Sequence, residues 1–393
     1  DKLGSTHWQA RKAKVKERLK DIADELLKIS AARLLTHNET VDTPFGLWEE
    51  FCAKFPYPET EDQQRAIDDI VSDFKSGKIM DRLVCGDVGF GKTEVAIRAA
   101  FVAVKAGYQV AVVVPTTLLC RQHYKTFYQR FLGFNTRIAS LSRLIKPKEV
   151  KGIKEDLKNG NIDLVVGTHS LLASSIAFKK LGLLIIDEEQ HFGVKQKEQL
   201  KKLKESVNVI TLTATPIPRT MQLALSGCKE LSIMATPPID RQAARTIVSP
   251  YNAVMIREAL MREKSRGGQS FYVCPRIEDL EYISEQLKTI VPELKFVVAH
   301  GQLCPTQLEE KMAAFYDGEY DILVSTNIVE SGLDIPRANT IIIHRADMFG
   351  LAGLYQLRGR IGRSKLKGYA YLTYEVGKRI SSSALERLHV IET

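Results

Sequence analysis

No stretch of this chain is apolar for long enough to cross a membrane. A spanning helix needs ~20 consecutive apolar residues, and no run comes near that. The N-terminus is basic but lacks the apolar core of a signal peptide. No two cysteines form a C-x-x-C pair; the six (Cys52, Cys85, Cys120, Cys228, Cys274, Cys304) are scattered. That scatter argues against a zinc site and against a disulfide framework, and for a reducing cytoplasm. No membrane partner is expected, and the chain is expected to be a monomer. What is present is ordinary for a globular protein, 44% hydrophobic and 26% charged residues. At 393 residues there is room for two or three domains. A formal charge of +9 suits a polyanionic partner. The first residue is Asp and the last segment stops inside a helical pattern, so a fragment of a longer protein is the expectation.

The stretch Arg82 to Thr93 reads RLVCGDVGFGKT. An apolar run, Leu83 to Cys85, predicts a short buried strand. A turn of the form G-x-x-x-x-G-K-T follows, and an alanine-rich segment with helical spacing runs from Glu94 to Val104. Strand, phosphate loop and helix in that order are the context of a P-loop. Gly86, Asp87, Val88, Gly89, Phe90, Gly91, Lys92 and Thr93 are therefore candidate ATP-binding residues. Gly89 and Gly91 let backbone N–H groups close on phosphate oxygens with no Cβ in the way. The helix that follows points its positive end at the phosphates. Lys92 supplies a charge for the β and γ phosphates, and Thr93 a hydroxyl ligand for Mg²⁺. A glycine-rich turn that merely precedes a helix is the plain alternative.

Residues 6 to 35 contain neither Pro nor Gly, and Leu19, Ile22, Leu26 and Ile29 recur at three- and four-residue steps. This predicts a long helix with one apolar face, basic from Arg11 to Lys20. It is either a solvated helix packed by that stripe or a connecting helix from a preceding domain. Residues 36 to 47 predict a linker. The segment Phe55-Pro56-Tyr57-Pro58-Glu59-Thr60-Glu61-Asp62-Gln63 then suggests an adenine-reading element. The Gln63 amide can pair with the donor and acceptor edge of adenine, and Phe55 or Tyr57 can stack on the base. Thr60 can equally cap a helix starting near Glu61.

After the P-loop, strands and helices alternate. Strands are predicted at 109–114, 164–166, 183–186 and 209–212, with a helix over 118–131. Polar residues fall where the strands end: Thr116, Thr168, Asp187 with Glu188, and Thr213. Ligands bind at that edge in open parallel sheets. Alternation restarts near residue 246, with strands at 269–273, 296–299, 322–324, 340–343 and 368–374. Helices are predicted over 280–290, 305–316 and 351–362. Residues 227 to 245, with Pro237-Pro238, predict a hinge. The expected domains are 1–47 (connecting helix and linker), 48–240 (ATP-binding lobe), 241–374 (second lobe) and 375–393 (the start of a further helical element).

Asp187 at a strand end can hold the Mg²⁺ shell, and Glu188 can polarise the attacking water. The second lobe has no P-loop but carries Gln356-Leu357-Arg358-Gly359-Arg360-Ile361-Gly362-Arg363. Helical spacing would put Gln356, Arg360 and Arg363 on one face, suited to delivering guanidinium groups to a γ-phosphate on the other lobe. A solvated or phosphate-binding turn is the plain reading of Arg-Gly-Arg alone. Hydroxyls at Thr116, Thr168, Ser325 and Thr326 suit sequence-independent contacts to a nucleic-acid backbone.

From Thr60 to Arg363 these strings resemble the motifs of superfamily 2 helicases and translocases. Five of them resemble more closely the bacterial transcription-repair coupling factors: 81–101, DEEQHFGVK at 187–195, LTATPIPRT at 212–220, ESGLDIP at 330–336 and 346–363. The resemblance implies an α/β fold of two tandem RecA-like P-loop NTPase lobes with parallel sheets, preceded by the long N-terminal helix. It implies ATP and Mg²⁺ as ligands, with Gly332 and Asp334 added to the nucleotide contacts. It implies a DNA-dependent ATPase that translocates on double-stranded DNA. In the intact factor that motor would displace stalled RNA polymerase and recruit excision-repair proteins through other domains. Residues 384–393 look like the first helix of a translocation hairpin. Asn327 and Gly353 depart from the family pattern, where Thr and Gln are expected. A RecG-type fork-remodelling helicase is the nearest alternative. A nucleotide-dependent docking module is an alternative of another class, one that would need no built-in arginine fingers.

Overall fold

The computed structural model describes residues 39–392, except 88, 144, 174, 190–191, 193–195, 197–198, 201–205, 215–229, 239–243, 327–334, 363–365 and 376–380. The helix expected over 6–35 lies outside the described residues, as do Val88, Asn327, Gly332, Asp334 and Arg363. The chain divides into two compact units, Asp1–Pro238 and Ile239–Thr393.

In the first unit, helices α1 (Leu47–Ala53) and α2 (Glu61–Ser76) lead to β1 (Asp81–Gly86) and α3 (Lys92–Lys105). Then come β2 (Gln109–Val113), α4 (Thr117–Phe131), β3 (Ile138–Leu141), α5 (Pro147–Asn159), β4 (Leu164–Gly167), β5 (Leu181–Asp187), β6 (Asn208–Thr213) and β7 (Glu230–Met234). The strands order as β3-β4-β2-β5-β6-β1-β7, and every pairing is parallel. A parallel sheet covered on both faces needs strands apolar on both sides, and β2 and β6 are buried at every position. Because all strands run one way, the segments after β1, β2, β4, β5 and β6 leave from a single edge. The helix after the phosphate loop is seated hard: α3 is buried continuously from Glu94 to Val104. Its Phe101 stacks on Phe51 of α1 at 3.9 Å and meets Phe134 edge-on at 5.2 Å.

The second unit repeats the plan. Its elements are β8 (Arg245–Pro250), α6 (Ala253–Ser265), β9 (Gln269–Val273), α7 (Glu278–Ile290), β10 (Phe296–Ala299), α8 (Pro305–Asp317), β11 (Ile322–Ser325), β12 (Ala338–Ile343), α9 (Leu351–Arg358), β13 (Tyr369–Tyr374) and α10 (Ser382–Glu392). The strands order as β10-β11-β9-β12-β13-β8, again all parallel. The repetition reaches single hydrogen bonds. Gln109 opens β2 and donates from Nε2 to Leu157 O and Ile162 O at 2.9 and 2.8 Å. Gln269 opens β9 and donates to Phe315 O and Tyr320 O at 2.6 and 2.7 Å.

Three expectations are corrected. The helix predicted over 351–362 stops at Arg358, and Gly359 caps it. The chain leaves by tight turns, Arg360 N–H to Leu357 O at 3.0 Å and Ile361 N–H to Arg358 O at 3.3 Å, and Gly362 takes φ 72°. Gly359 itself stays right-handed at φ −66°; the left-handed step comes at Gly362, where glycine takes it without a Cβ penalty. Arg360 therefore does not share a helix face with Gln356. The hinge predicted over 227–245 holds the boundary between the units, Pro238 to Ile239, but is too wide, since it also contains β7, which pairs with β1. The predicted linker to residue 47 runs straight into α1, which starts at Leu47. β3 and α5 were not predicted at all.

Candidate nucleotide site

β1 ends at Gly86, packed so closely on β7 that a Cβ there would lie 2.9 Å from Met234 Cβ. The loop then turns through Gly89 at φ 86° and Gly91 at φ 83°, which L side chains rarely adopt. Phe90 N–H donates to Asp87 O at 3.2 Å. Lys92 opens α3 and folds its side chain back over the loop. Its Nζ donates to Gly86 O at 2.6 Å and Asp87 O at 3.0 Å. Burial pulls the Lys92 pKa below the ordinary lysine value, while Asp187, Glu188 and Asp87 pull it back up. A cation short of solvation and facing carboxylates is poised to take up phosphate charge. Thr93, half-buried, follows in the first helical turn.

Thr60 does cap α2. Its hydroxyl accepts from Gln63 N–H at 3.2 Å, and Gln63 Oε1 accepts from Thr60 N–H at 3.0 Å, a reciprocal capping box. Gln63 Nε2 also donates to Phe90 O in the phosphate loop at 2.8 Å, and the side chain is 3% exposed. The amide thus retains one N–H and one lone pair for a base edge. Phe55 is half-buried. The guanidinium carbons of Arg98 and Arg130 each lie 5.7 Å from its ring centroid, and Tyr57 meets its edge at 5.6 Å. Both arginines are fixed by Glu94 of α3, Arg98 Nε at 3.0 Å and Arg130 Nη2 at 2.6 Å. Arg98 also pairs with Glu59.

Asp187 is the last residue of β5, 8% exposed. His123 of α4 lies against it, Nε2 to Oδ2 3.1 Å. The next residue, Glu188, takes the left-handed φ of 53° and is 3% exposed. Its N–H donates to Leu212 O at 2.9 Å, and its Oε1 accepts from Ala214 N–H at 3.0 Å. The two acidic side chains are therefore steered apart, one to α4 and the other to the end of β6. Neither His123 nor Ala214 was singled out from the sequence. His123 did leave a signal, a polar residue in the buried phase Leu119, Cys120, His123, Phe127, Phe131.

Gly86, Asp87, Phe90, Lys92, Gln63, Asp187 and Glu188 are thus gathered within the first unit. The hydroxyl residues are less available than the sequence suggests. Thr116 caps α4, accepting from Leu119 N–H at 3.2 Å. Thr168 pairs with Ser170 at 3.1 Å and is 8% exposed. In the second unit Ser325 is 2% and Thr326 7% exposed, at the end of β11. Gln356 lies on α9 and Arg360, 8% exposed, follows it.

The donor set fits a nucleotide carried with Mg²⁺. An added Cβ at Gly91 would come within 2.2 Å of Gln63 Nε2, so the cradle is shaped for backbone alone. Mg²⁺ is commonly held by one or two protein oxygens plus substrate phosphates, and Thr93 and Asp187 are such oxygens. Residues 60–224 match the DEAD/DEAH box helicase model, and residues 252–365 the helicase conserved C-terminal domain. The chain is 56% identical to the transcription-repair-coupling factor of Rickettsia conorii, over all of this chain and 35% of that protein. It is 50% identical to that of Myxococcus xanthus, over all of this chain and 33% of that protein. It thus spans about a third of the length of these curated relatives. Among solved structures, RecG bound to a three-way DNA junction is 36% identical with TM-score 0.80, over 99% of this chain and 52% of that one.

Proposed function

This chain belongs to the superfamily 2 helicases, as a DEAD/DEAH box helicase domain followed by a helicase C-terminal domain, and from that premise we propose that it is the ATP-driven motor of a transcription-repair coupling factor, translocating on double-stranded DNA. The observation that carries the reading is the first unit's half-site: a phosphate loop over which Lys92 folds back, Nζ to Gly86 O at 2.6 Å and Asp87 O at 3.0 Å, with the buried pair Asp187 and Glu188 at the end of β5. Lys92 draws the β and γ phosphates into the cradle. Thr93 and Asp187 hold Mg²⁺, which when bound neutralises charge on the phosphates. Glu188 orients the attacking water, and its left-handed backbone turns the carboxylate away from Asp187. Arg360, Arg363 and Gln356 serve the γ-phosphate, and Gly332 with Asp334 complete the nucleotide contacts. The strand ends at Thr116, Thr168, Ser325 and Thr326 are the candidate contacts to the DNA backbone, through backbone N–H groups rather than through hydroxyls that are buried or already engaged, and Phe55 with Gln63 holds the adenine. In the whole protein the motor would push stalled RNA polymerase and hand the lesion to excision-repair proteins in the cytoplasm.

The test is ATP turnover with no DNA, with duplex DNA and with a single strand of equal length. Duplex should stimulate most, and Lys92→Ala or Glu188→Gln should abolish turnover. A rate indifferent to DNA overturns the motor reading. Likeness to RecG over almost the whole chain favours a second reading, a fork-remodelling helicase. Displacement of a triplex-forming strand without duplex unwinding supports the translocase; efficient unwinding of a forked duplex supports the helicase.

A further inference from the structure

Helix α4 carries a histidine on its buried stripe, and a buried polar group needs a partner to offset its lost hydration. His123 is 7% exposed. Its Nε2 meets Asp187 Oδ2 at 3.1 Å, and a carboxylate can only accept, so Nε2 carries the proton. Its Nδ1 is buried with no partner among the described residues, and its ring lies 6.3 Å from Phe127, tilted by 34°. The imidazole is therefore placed by packing and spends its hydrogen bond on Asp187.

We propose that His123 is a positioning residue for the Mg²⁺–nucleotide site: it holds one oxygen of the Asp187 carboxylate so that the other is presented to the metal. The inference rests on the reading of Lys92, Asp187 and Glu188 as an ATPase site. Register with Leu212 of β6 fixes the Asp187 backbone but leaves the carboxylate free to rotate about its side-chain bonds. Mg²⁺ demands near-ideal octahedral geometry and discriminates sharply against a misaimed ligand. The neighbouring Glu188 is anchored separately, by Ala214 N–H. Loss of His123 should therefore disturb use of the metal while leaving the phosphate loop and Glu188 in place. A histidine that only fills the core would make no such distinction.

The experiment compares the full chain with His123→Leu, which keeps the bulk and loses the N–H, and His123→Gln, whose amide N–H reaches the place of Nε2. Three quantities are read: the Mg²⁺ concentration for half-maximal ATP turnover, affinity for a fluorescent ADP analogue in EDTA, and affinity for the same analogue in saturating Mg²⁺. Loss of a group that orients a metal ligand typically costs 10–100-fold in metal affinity or activity. His123→Leu should accordingly raise the Mg²⁺ requirement about tenfold, leave binding in EDTA unchanged, and weaken binding in Mg²⁺. His123→Gln should recover most of that loss. A Mg²⁺ requirement equal to wild type in His123→Leu overturns the proposal. So does a parallel loss of metal-free binding, which would mark a packing role. Should His123→Leu fail to fold, His123→Asn takes its place, since its shorter amide reaches only the position of Nδ1. A wild-type chain that neither binds nor hydrolyses ATP would sink the ATPase reading itself, an outcome distinct from normal turnover with an unshifted Mg²⁺ requirement.

Discussion

Gly91 sits at φ 83°, and a Cβ built there would meet Gln63 Nε2 at 2.2 Å. The left-handed conformation alone costs an L residue ~1–2 kcal/mol. The clash adds a choice between opening the loop and pushing Gln63 off Phe90 O. Gly91→Ala should therefore weaken ATP binding by about tenfold or more, the worth of one hydrogen bond to a charged group, while the fold survives; titration calorimetry reads the affinity directly. Two thiols are shifted chiefly by burial. Burial pushes Cys120 and Cys274 up from 9.0 to about 12. Only the thiolate reacts, so a thiol reagent at pH 8 should label exposed Cys304 and spare these two until denaturant is added. The sign for stability follows. Below pH 9 both states keep their protons and nothing is lost. Above it the unfolded chain ionises first, so the contribution of these groups drains away as pH rises from about 9 towards 12. Unfolding curves measured across that range should show stability falling with pH, and Cys120→Ala with Cys274→Ala should flatten the slope.

Helix α2 is held to the sheet by a row of carboxylates. Arg82 of β1 grips Asp73 with both oxygens, Nε at 2.6 Å and Nη2 at 3.0 Å, and reaches Asp69 at 3.1 Å and Ser232 of β7 at 2.9 Å. At the other end of the helix Asp62 accepts from Ala235 and Thr236 N–H, each at 2.9 Å. Arg82→Ala leaves two carboxylates facing each other without their cation. Full burial would make that loss 3–5 kcal/mol, but the side chains of Asp69 and Asp73 are 39% and 20% exposed, so about 2 kcal/mol is expected. Trp48 packs against the core of this unit, so tryptophan fluorescence in urea should report the loss. What was legible at this scale was whatever a local string could carry. The β2 and β5 runs were plain because both faces are buried, and the phosphate loop because eight consecutive residues do its work. β3 was missed because an edge strand with Ser140 and half-buried Ile138 has no apolar run. The stop at Arg358 was missed because helical spacing was extended through Gly359. His123 and Asp187 stand 64 residues apart, Asp62 and Ala235 173 apart, and no spacing rule reaches across a sheet.

The two units repeat one architecture, yet only the first carries a phosphate loop. The repetition includes the glutamine that opens each central strand, and its small failure is instructive. Gln109 Oε1 is filled by Lys179 and Lys180 N–H at 2.8 and 3.0 Å. At the matching places in the second unit stand Pro336, which has no N–H, and Arg337, and Gln269 Oε1 is buried with no partner among the described residues. The second unit has thus kept the scaffold and changed what hangs on it. If its contribution is arginine rather than a phosphate loop, binding and hydrolysis should separate between the units. Arg360→Ala should bind ATP as tightly as wild type, because Lys92, Gln63 and the cradle are untouched. Its turnover should fall by about 10³-fold or more, the usual worth of an arginine finger. Lys92→Ala, by contrast, should lose binding and turnover together. Nucleotide affinity and duplex-stimulated turnover, measured on the same preparations, decide the matter. Turnover surviving in Arg360→Ala would mean that the first unit hydrolyses ATP unaided by Arg360, and a motor that closes this arginine on the phosphate would lose its physical basis.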